Sequence, residues 1–528
     1  MQTHAEGPVP GRVRFSADTP LTRLCAAMLA SVLALAGCSG GKKPDGGKST
    51  TAGGGKAANE KAIAAEPMAL DEGPAHVDLI ALRRTANNTV TARLRVVNDG
   101  RESIGMAGVL SDSAPKKGAE ERGAGGIALL DGAADKAYYP LTTGTGVCLC
   151  SDSTGDLAAG QALDVYAVFP APPPQTNRVT VWVPRALPFA DAEIRKGQAP
   201  PAPDQSLDPA KAALGRPTIR PLIDSSESAD EAVDEDGDNR TVRLSADVLF
   251  AYDKADLTSK ARAVLGNVAR QIDASKGDLV RIDGYTDDSG DDAVNQPLSE
   301  RRAQAVQTAF TAMVTRRGIT YRSAGHGSQH PIAKNDDEAG RKRNRRVTIT
   351  FAKPVPQARP PAATAGPPAP WTPGARLPVL ATLRPRVHTG IDVEEEAGNI
   401  RFDINELHRD PSGLVTLVWT ATGVGGAEQP IQSRLDKWAS LEYTDGINTS
   451  GVSLLDRAGR TRYWPSRDGA GACVCSSLRQ DLHGTQAVAP GAGATFVDVY
   501  KVPASVRAVD VQFSWDTLTL PAGNVTVG

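Results

Sequence analysis

Between about residues 239 and 353 the apolar positions alternate between two periods. Short β-branched or alternating runs at Val242–Phe250, Leu279–Gly284, Tyr321–Gly325 and Arg345–Phe351 predict strands. Two longer stretches, Ser259–Ala274 and Leu298–Arg316, repeat apolar residues every three or four positions and predict helices. Ala261, Val264, Leu265, Val268 and Ile272 form one stripe, and Ala303, Val306, Ala309, Phe310 and Met313 the other. The order βαβαββ predicts an α+β unit with helices on a mixed sheet.

On either side the pattern changes to strands alone. Runs such as Thr89–Val97, Val179–Val183, Leu414–Trp419 and Val506–Trp515 are separated by Gly, Pro, Asn and Asp. These flanks repeat one another. Ile127–Asp131 aligns with Val452–Asp456, Tyr138-Tyr139-Pro140 with Tyr463-Trp464-Pro465, and Cys148-Leu149-Cys150 with Cys473-Val474-Cys475, all at an offset of 325. Beyond the cysteines, matching Asp164-Val165-Tyr166 to Asp498-Val499-Tyr500 requires a slip of nine. The fold class expected is therefore multidomain, a central α+β unit between two homologous all-β sandwich-like domains, at 67–196 and 376–528. Two copies are too few for a solenoid.

Composition supplies the joints. Asp224–Asp238 holds eight acidic side chains and no basic one, which predicts a self-repelling, extended segment inside a linker at 197–238. Pro354–Pro373 holds eight prolines, so 354–375 reads as a polyproline spacer. At the start, Arg12, Arg14 and Arg23 precede an apolar run from Leu24 to Ala36, too short to span a bilayer and laid out like an export signal over residues 1–37. It ends in Leu35-Ala36-Gly37-Cys38, which resembles the bacterial lipobox, and that resemblance implies a lipidated Cys38. Two or more acyl chains would anchor stably. Residues 38–66, rich in Gly, Lys, Ala, Ser and Thr, then read as a tether.

The 528 residues carry 59 Lys plus Arg against 61 Asp plus Glu, so no global field favours nucleic acid. No Cys/His set has zinc spacing, and no metal or cofactor is expected. Cysteines two apart on a strand share a face at a Cα separation of about 6.5 Å, the long end of disulfide geometry. Disulfides within each C-x-C pair are the preferred reading of Cys148, Cys150, Cys473 and Cys475; thiol redox chemistry stays open beside it.

The central unit carries a specific pattern: Gly284-Tyr285-Thr286-Asp287, Gly290, Asn295, Leu298-Ser299, Arg302-Ala303, Val306, Gly325, Gly327, Pro331, Asn335 and Asn344-Arg345-Arg346-Val347. This resembles the OmpA-like (OmpA C-terminal-like) peptidoglycan-binding domain, over 239–353. The resemblance implies non-covalent binding of the diaminopimelate in peptidoglycan stem peptides. Asp287 would take the ammonium and Arg302 the carboxylate, with Asn295, Leu298 and Arg345 shaping the pocket. The chemistry suits that task, because a free amino-acid centre needs one anion and one fork-shaped cation a few ångströms apart.

The expectation is a lipid-anchored envelope protein that ties membrane to wall and is not an enzyme. It would lie in the outer leaflet of the cell membrane in a single-membrane cell, or in the outer membrane of a two-membrane cell. One alternative is a scaffold whose β-domains bind an extracellular protein. Another is a thiol-redox or wall-modifying enzyme, although Ser113-Ala114-Pro115-Lys116 and Gly37-Cys38-Ser39-Gly40-Gly41 match hydrolase patterns only out of context.

Overall fold

The computed structural model describes residues 61–527, apart from 71–72, 86, 112–122, 202–204, 206–210, 252, 354–370, 385, 389–393, 397–398, 432–434, 436–442, 444–447, 479–486 and 516–517. The expected signal, Cys38 and most of the tether and proline spacer lie outside the described residues. Among the described residues no helix is long and apolar enough to cross a membrane.

In the first flank, strands Ala64–Met68, Ala75–Arg84, Thr89–Asn98 and Ala162–Pro170 pair in that order. Strands Ala128–Asp131, Lys136–Tyr138, Arg178–Trp182 and Phe189–Glu193 form the opposing layer. Val77, Leu94, Val165, Leu129 and Val181, drawn from both layers, share one core. The second flank builds the same way, with Ala381–Leu383, Ile400–Arg409, Leu414–Gly423 and Gly493–Lys501 facing Val452–Asp456, Thr461–Asp468, Ala508–Trp515 and Leu518–Thr526. Trp419 is fully buried at its centre, against Phe402, Phe496 and Phe513.

The two flanks agree in detail. A bulge between Leu79 and Ala81 recurs between Ile404 and Glu406. Arg84 donates to the carbonyls of Pro172 and Thr176, and Arg409 donates to those of Val502 and Val506. Each C-x-C pair is a disulfide with a Cα–Cα distance of 5.2 Å, shorter than a flat strand would give. One sequence alignment is corrected. Thr89 pairs with Pro170 and Leu414 with Lys501, offsets of 325 and 331, so the slip is six and Ala167, not Asp164, corresponds to Asp498. Cys150 and Cys475 bridge those same two residues, which fixes the register independently. A repeated Asp-Val-Tyr triplet drew the sequence alignment three residues too far.

The acidic segment is not the self-repelling linker its composition predicts. It is a hairpin of β1 (Ile219–Glu227) and β2 (Glu231–Glu235). β1 pairs with Lys136–Tyr138 of the first flank and then with Thr461–Asp468 of the second, while β2 pairs with the first strand of the central unit. Part of its charge is met by nearby Arg243 and, remote in sequence, by Arg467. Asp234 accepts from Arg243 at 2.9 Å and Arg467 at 3.1 Å, and Ser466 donates to Asp224 at 2.5 Å. Among the described residues this makes one sheet of fourteen strands running through all three units.

The central unit comprises β3 (Asn239–Ser245), α1 (Ala246–Leu249), α2 (Ser259–Asp273), β4 (Leu279–Tyr285), α3 (Asp292–Met313), β5 (Thr320–Gly325), α4 (Glu338–Asn344) and β6 (Arg346–Ala352). The sheet order is β3-β6-β4-β5, with β4 and β5 parallel and the other pairs antiparallel. α2 begins at Thr258, whose hydroxyl accepts from Ala261, and buries Ala261, Leu265, Val268 and Ile272. α3 begins six residues before the expected Leu298. Asp291 caps it, and Pro297, the sixth residue of the helix, lacks the N–H that would reach the Ala293 carbonyl, so the helix carries one bond fewer there. The C-terminal part of the expected first strand, Ala246–Leu249, is instead the single turn α1, capped by Ser245.

Candidate functional site

The site forms where β4 ends and α3 begins. Gly284 and Gly325 allow it, because a Cβ on Gly284 would lie 2.2 Å from the Ser299 carbonyl oxygen and one on Gly325 2.3 Å from the Glu300 nitrogen. The helix therefore rests directly on the sheet backbone. Asn295, Leu298 and Arg302 then share one face of α3 at spacings of three and four, and all three are buried.

Asp287 lies just past β4 and is 7% exposed. Its Oδ1 accepts from the Ser289 amide at 3.1 Å, which folds the loop, and its Oδ2 accepts from Arg345 Nη1 at 2.7 Å. Asn295 Nδ2 donates to the Ser289 carbonyl at 3.0 Å, tying the same loop to the helix. Arg345 also grips Asp247 through Nε at 3.0 Å and Nη2 at 2.8 Å, and reaches Glu338 at 2.6 Å. Those bonds, with Asp247 foremost, hold the Arg345 guanidinium far above the usual range and so permanently charged.

Arg302 is 6% exposed. Its Nε donates to the Lys254 carbonyl at 3.0 Å and its Cζ stands 5.4 Å from the Phe250 ring centroid. Among the described residues nothing bonds its two terminal nitrogens, so they keep a forked set of donors. Burial lowers its pKa, while Asp247, Asp253 and Asp287 oppose that and Arg345 adds to it. Asp287 and Arg302 thus sit in one electrostatic neighbourhood. Leu298 is one helical turn from Arg302 on the same helix and is buried.

Thr286 belongs to the motif, which implies no role for it. Its hydroxyl is buried and has no hydrogen-bond partner among the described residues, beside the acid of the site. Asp247 and Glu338 were missed altogether, since nothing in their local sequence signals that they restrain Arg345. Asn344 is fully buried and bonds the amides of Ile332 and Ala333, so it pins the loop before β6. His326 stacks on Tyr285 at 4.9 Å and bonds Asp283 at 2.9 Å.

The OmpA family matches residues 249–345, so an OmpA-like domain is present in this chain. The outer-membrane lipoprotein YfiB of Pseudomonas aeruginosa is 41% identical over 107 residues, covering 20% of this chain and 62% of YfiB. The peptidoglycan-binding protein ArfA of Mycobacterium tuberculosis is 37% identical over 105 residues, 19% of this chain and 31% of ArfA. The chain thus spans less than two thirds of the length of these curated relatives. Among solved structures, the cell wall anchor of the T6SS from Pseudomonas aeruginosa matches at 30% identity and a TM-score of 0.22, over 23% of this chain and 87% of that one.

Proposed function

We propose that this chain is a cell-envelope protein that binds peptidoglycan non-covalently, through the diaminopimelate of stem peptides. The observation that carries the reading is that a buried carboxylate, Asp287, lies within electrostatic reach of a buried guanidinium, Arg302, whose terminal donors are unspent. A zwitterionic amino-acid centre complements that pair, with its ammonium on Asp287 and its carboxylate bidentate on Arg302. Thr286 offers a further hydroxyl beside Asp287, and Arg345 sets the orientation of Asp287. The names of YfiB and ArfA, an outer-membrane lipoprotein and a peptidoglycan-binding protein, support an envelope setting.

The wider reading is a membrane-to-wall tether. Cys38 would carry lipid, and the two flanking units, read as homologous sandwiches, would hold the wall-binding domain between them. The test is retention by purified diaminopimelate-type sacculi, with free diaminopimelate as competitor and lysine-type sacculi as control. Asp287→Ala and Arg302→Ala should each abolish specific retention without loss of the folded state by circular dichroism. Undiminished retention by the double variant would remove the assigned pocket. Cys38→Ala should move the protein from the membrane fraction to the soluble one.

A further inference from the structure

A cleft of about 850 Å³ lies between the two flanking units, remote in sequence from the Asp287 pocket. Its walls come from strand Ala64–Met68 and strand Phe189–Glu193 of the first flank, and from strands Ile400–Arg409 and Leu414–Gly423 of the second. Leu79, Leu187, Phe189, Leu377, Leu407 and Val418 make much of it apolar. That size is typical of a small-molecule site.

Four carboxylates line this space, and two of them, Asp191 and Glu193, are engaged by Arg178 and Arg195. Glu66 and Glu406 have no side-chain hydrogen bond or ion pair among the described residues. Burial pushes Glu66 up to about 8, with Glu406 as the second cause, and burial raises Glu406 as well. The arginines nearby do not relieve them. Arg178 is bonded to Asp191 at 2.6 Å and Arg195 to Glu193 at 2.9 Å, and Arg376 is exposed. Burial also keeps His408, on the same wall, toward its neutral form.

The duplication supplies an internal control. Glu66 pairs with Val77 and Leu383 with Phe402, so Leu383 is the second copy's equivalent of Glu66. By the shared bulge, Ala81 is the first copy's equivalent of Glu406, and it is 2% exposed. At each position the fold accepts an apolar residue in one copy, while the copy facing the cleft carries an acid. Both acids are half-buried and unpaired among the described residues, and an acid there loses hydration without gaining a partner, so packing alone does not account for either one.

We propose that this cleft binds a small organic amine with an apolar body, its ammonium held between Glu66 and Glu406 and its hydrocarbon against Leu187, Phe189 and Val418. The site is independent of wall binding and extends the protein's role to ligand recognition. The test uses the full chain and dansylcadaverine, which joins a primary ammonium to an environment-sensitive apolar fluorophore. Saturable, blue-shifted emission is expected, and Glu66→Gln/Glu406→Gln should weaken it about tenfold or more. Ala190→Trp, which narrows the cleft without touching either acid, should do the same. A neutral dansyl analogue lacking the amine should bind as weakly as the probe binds the double variant. Absence of saturable binding, equal affinity in the double variant, or equal binding of the neutral analogue would each overturn the proposal. Sacculus retention measured on these variants separates this outcome from that of the wall-binding reading.

Discussion

Arg345 holds three carboxylates at once: Asp247 through two nitrogens, Asp287 and Glu338. Through its bond to Asp287 it is, under the proposed function, a positioning residue for that carboxylate. Replacing it by Lys keeps the charge but forfeits the fork. Arg345→Lys should therefore lower sacculus affinity about tenfold while changing the melting temperature little, and Arg345→Ala should lower both. Equal affinity in the Lys variant would show that a point charge at this position suffices. Asp287, Asn295, Leu298, Arg302 and Arg345 were legible as candidates, because they occur in a spaced pattern whose chemistry suits an amino-acid centre. Asp247 and Glu338 were not, because their part is defined only by where Arg345 points.

At the scale of elements, two close contacts and one hairpin decide the arrangement. A methyl group at position 284 collides with the backbone of α3, so Gly284→Ala should destabilise the central unit by about 1–3 kcal/mol and displace the Asp287 loop. Chemical denaturation and sacculus binding should fall together. In the hairpin, Asp234 accepts from Arg243, Arg467 and Ser225. Asp234→Ala leaves two mostly buried guanidinium groups short of an acceptor and should cost about 3 kcal/mol or more. A composition-based reading sees only local repulsion here. The compensating Arg467 is 233 residues away in sequence, and no window of the chain brings the two charges together. The helices and strands of the central unit were legible because their periodicity is local. The early start of α3 was not, since a proline ordinarily ends or bends a helix and Pro297 here lies inside one.

The whole molecule carries buried acids whose protonation is coupled to folding. Burial raises Asp224 to about 6, Asp498 to about 7 and Glu66 to about 8, against ordinary values of 3.8, 3.8 and 4.5. Each folded value exceeds its unfolded one, so the folded chain binds protons more tightly. The resulting contribution is full below the unfolded values and is lost as pH rises through 6, 7 and 8. Lys501, lowered to about 8 by burial, works the other way, and its contribution is present only at more alkaline pH. The melting temperature should accordingly fall between pH 5 and pH 8, as calorimetry can follow. Asp498 accepts from Trp419 Nε1 at 2.7 Å and from Thr449. Asp498→Asn keeps an acceptor while removing the charge, so it should flatten that decline. A melting temperature that rises over the same interval would contradict the assignment.

The joint strand β1 also has a mechanical consequence. A pull on the Asp287 pocket reaches either flank through laterally bonded backbone, as well as along the covalent chain. Rows of such bonds loaded lengthwise yield together, whereas a bond at the end of a flexible leash yields alone. The chain is put together as a brace, and severing it between β2 and β3 would leave open sheet edges on both fragments, each a template for aggregation.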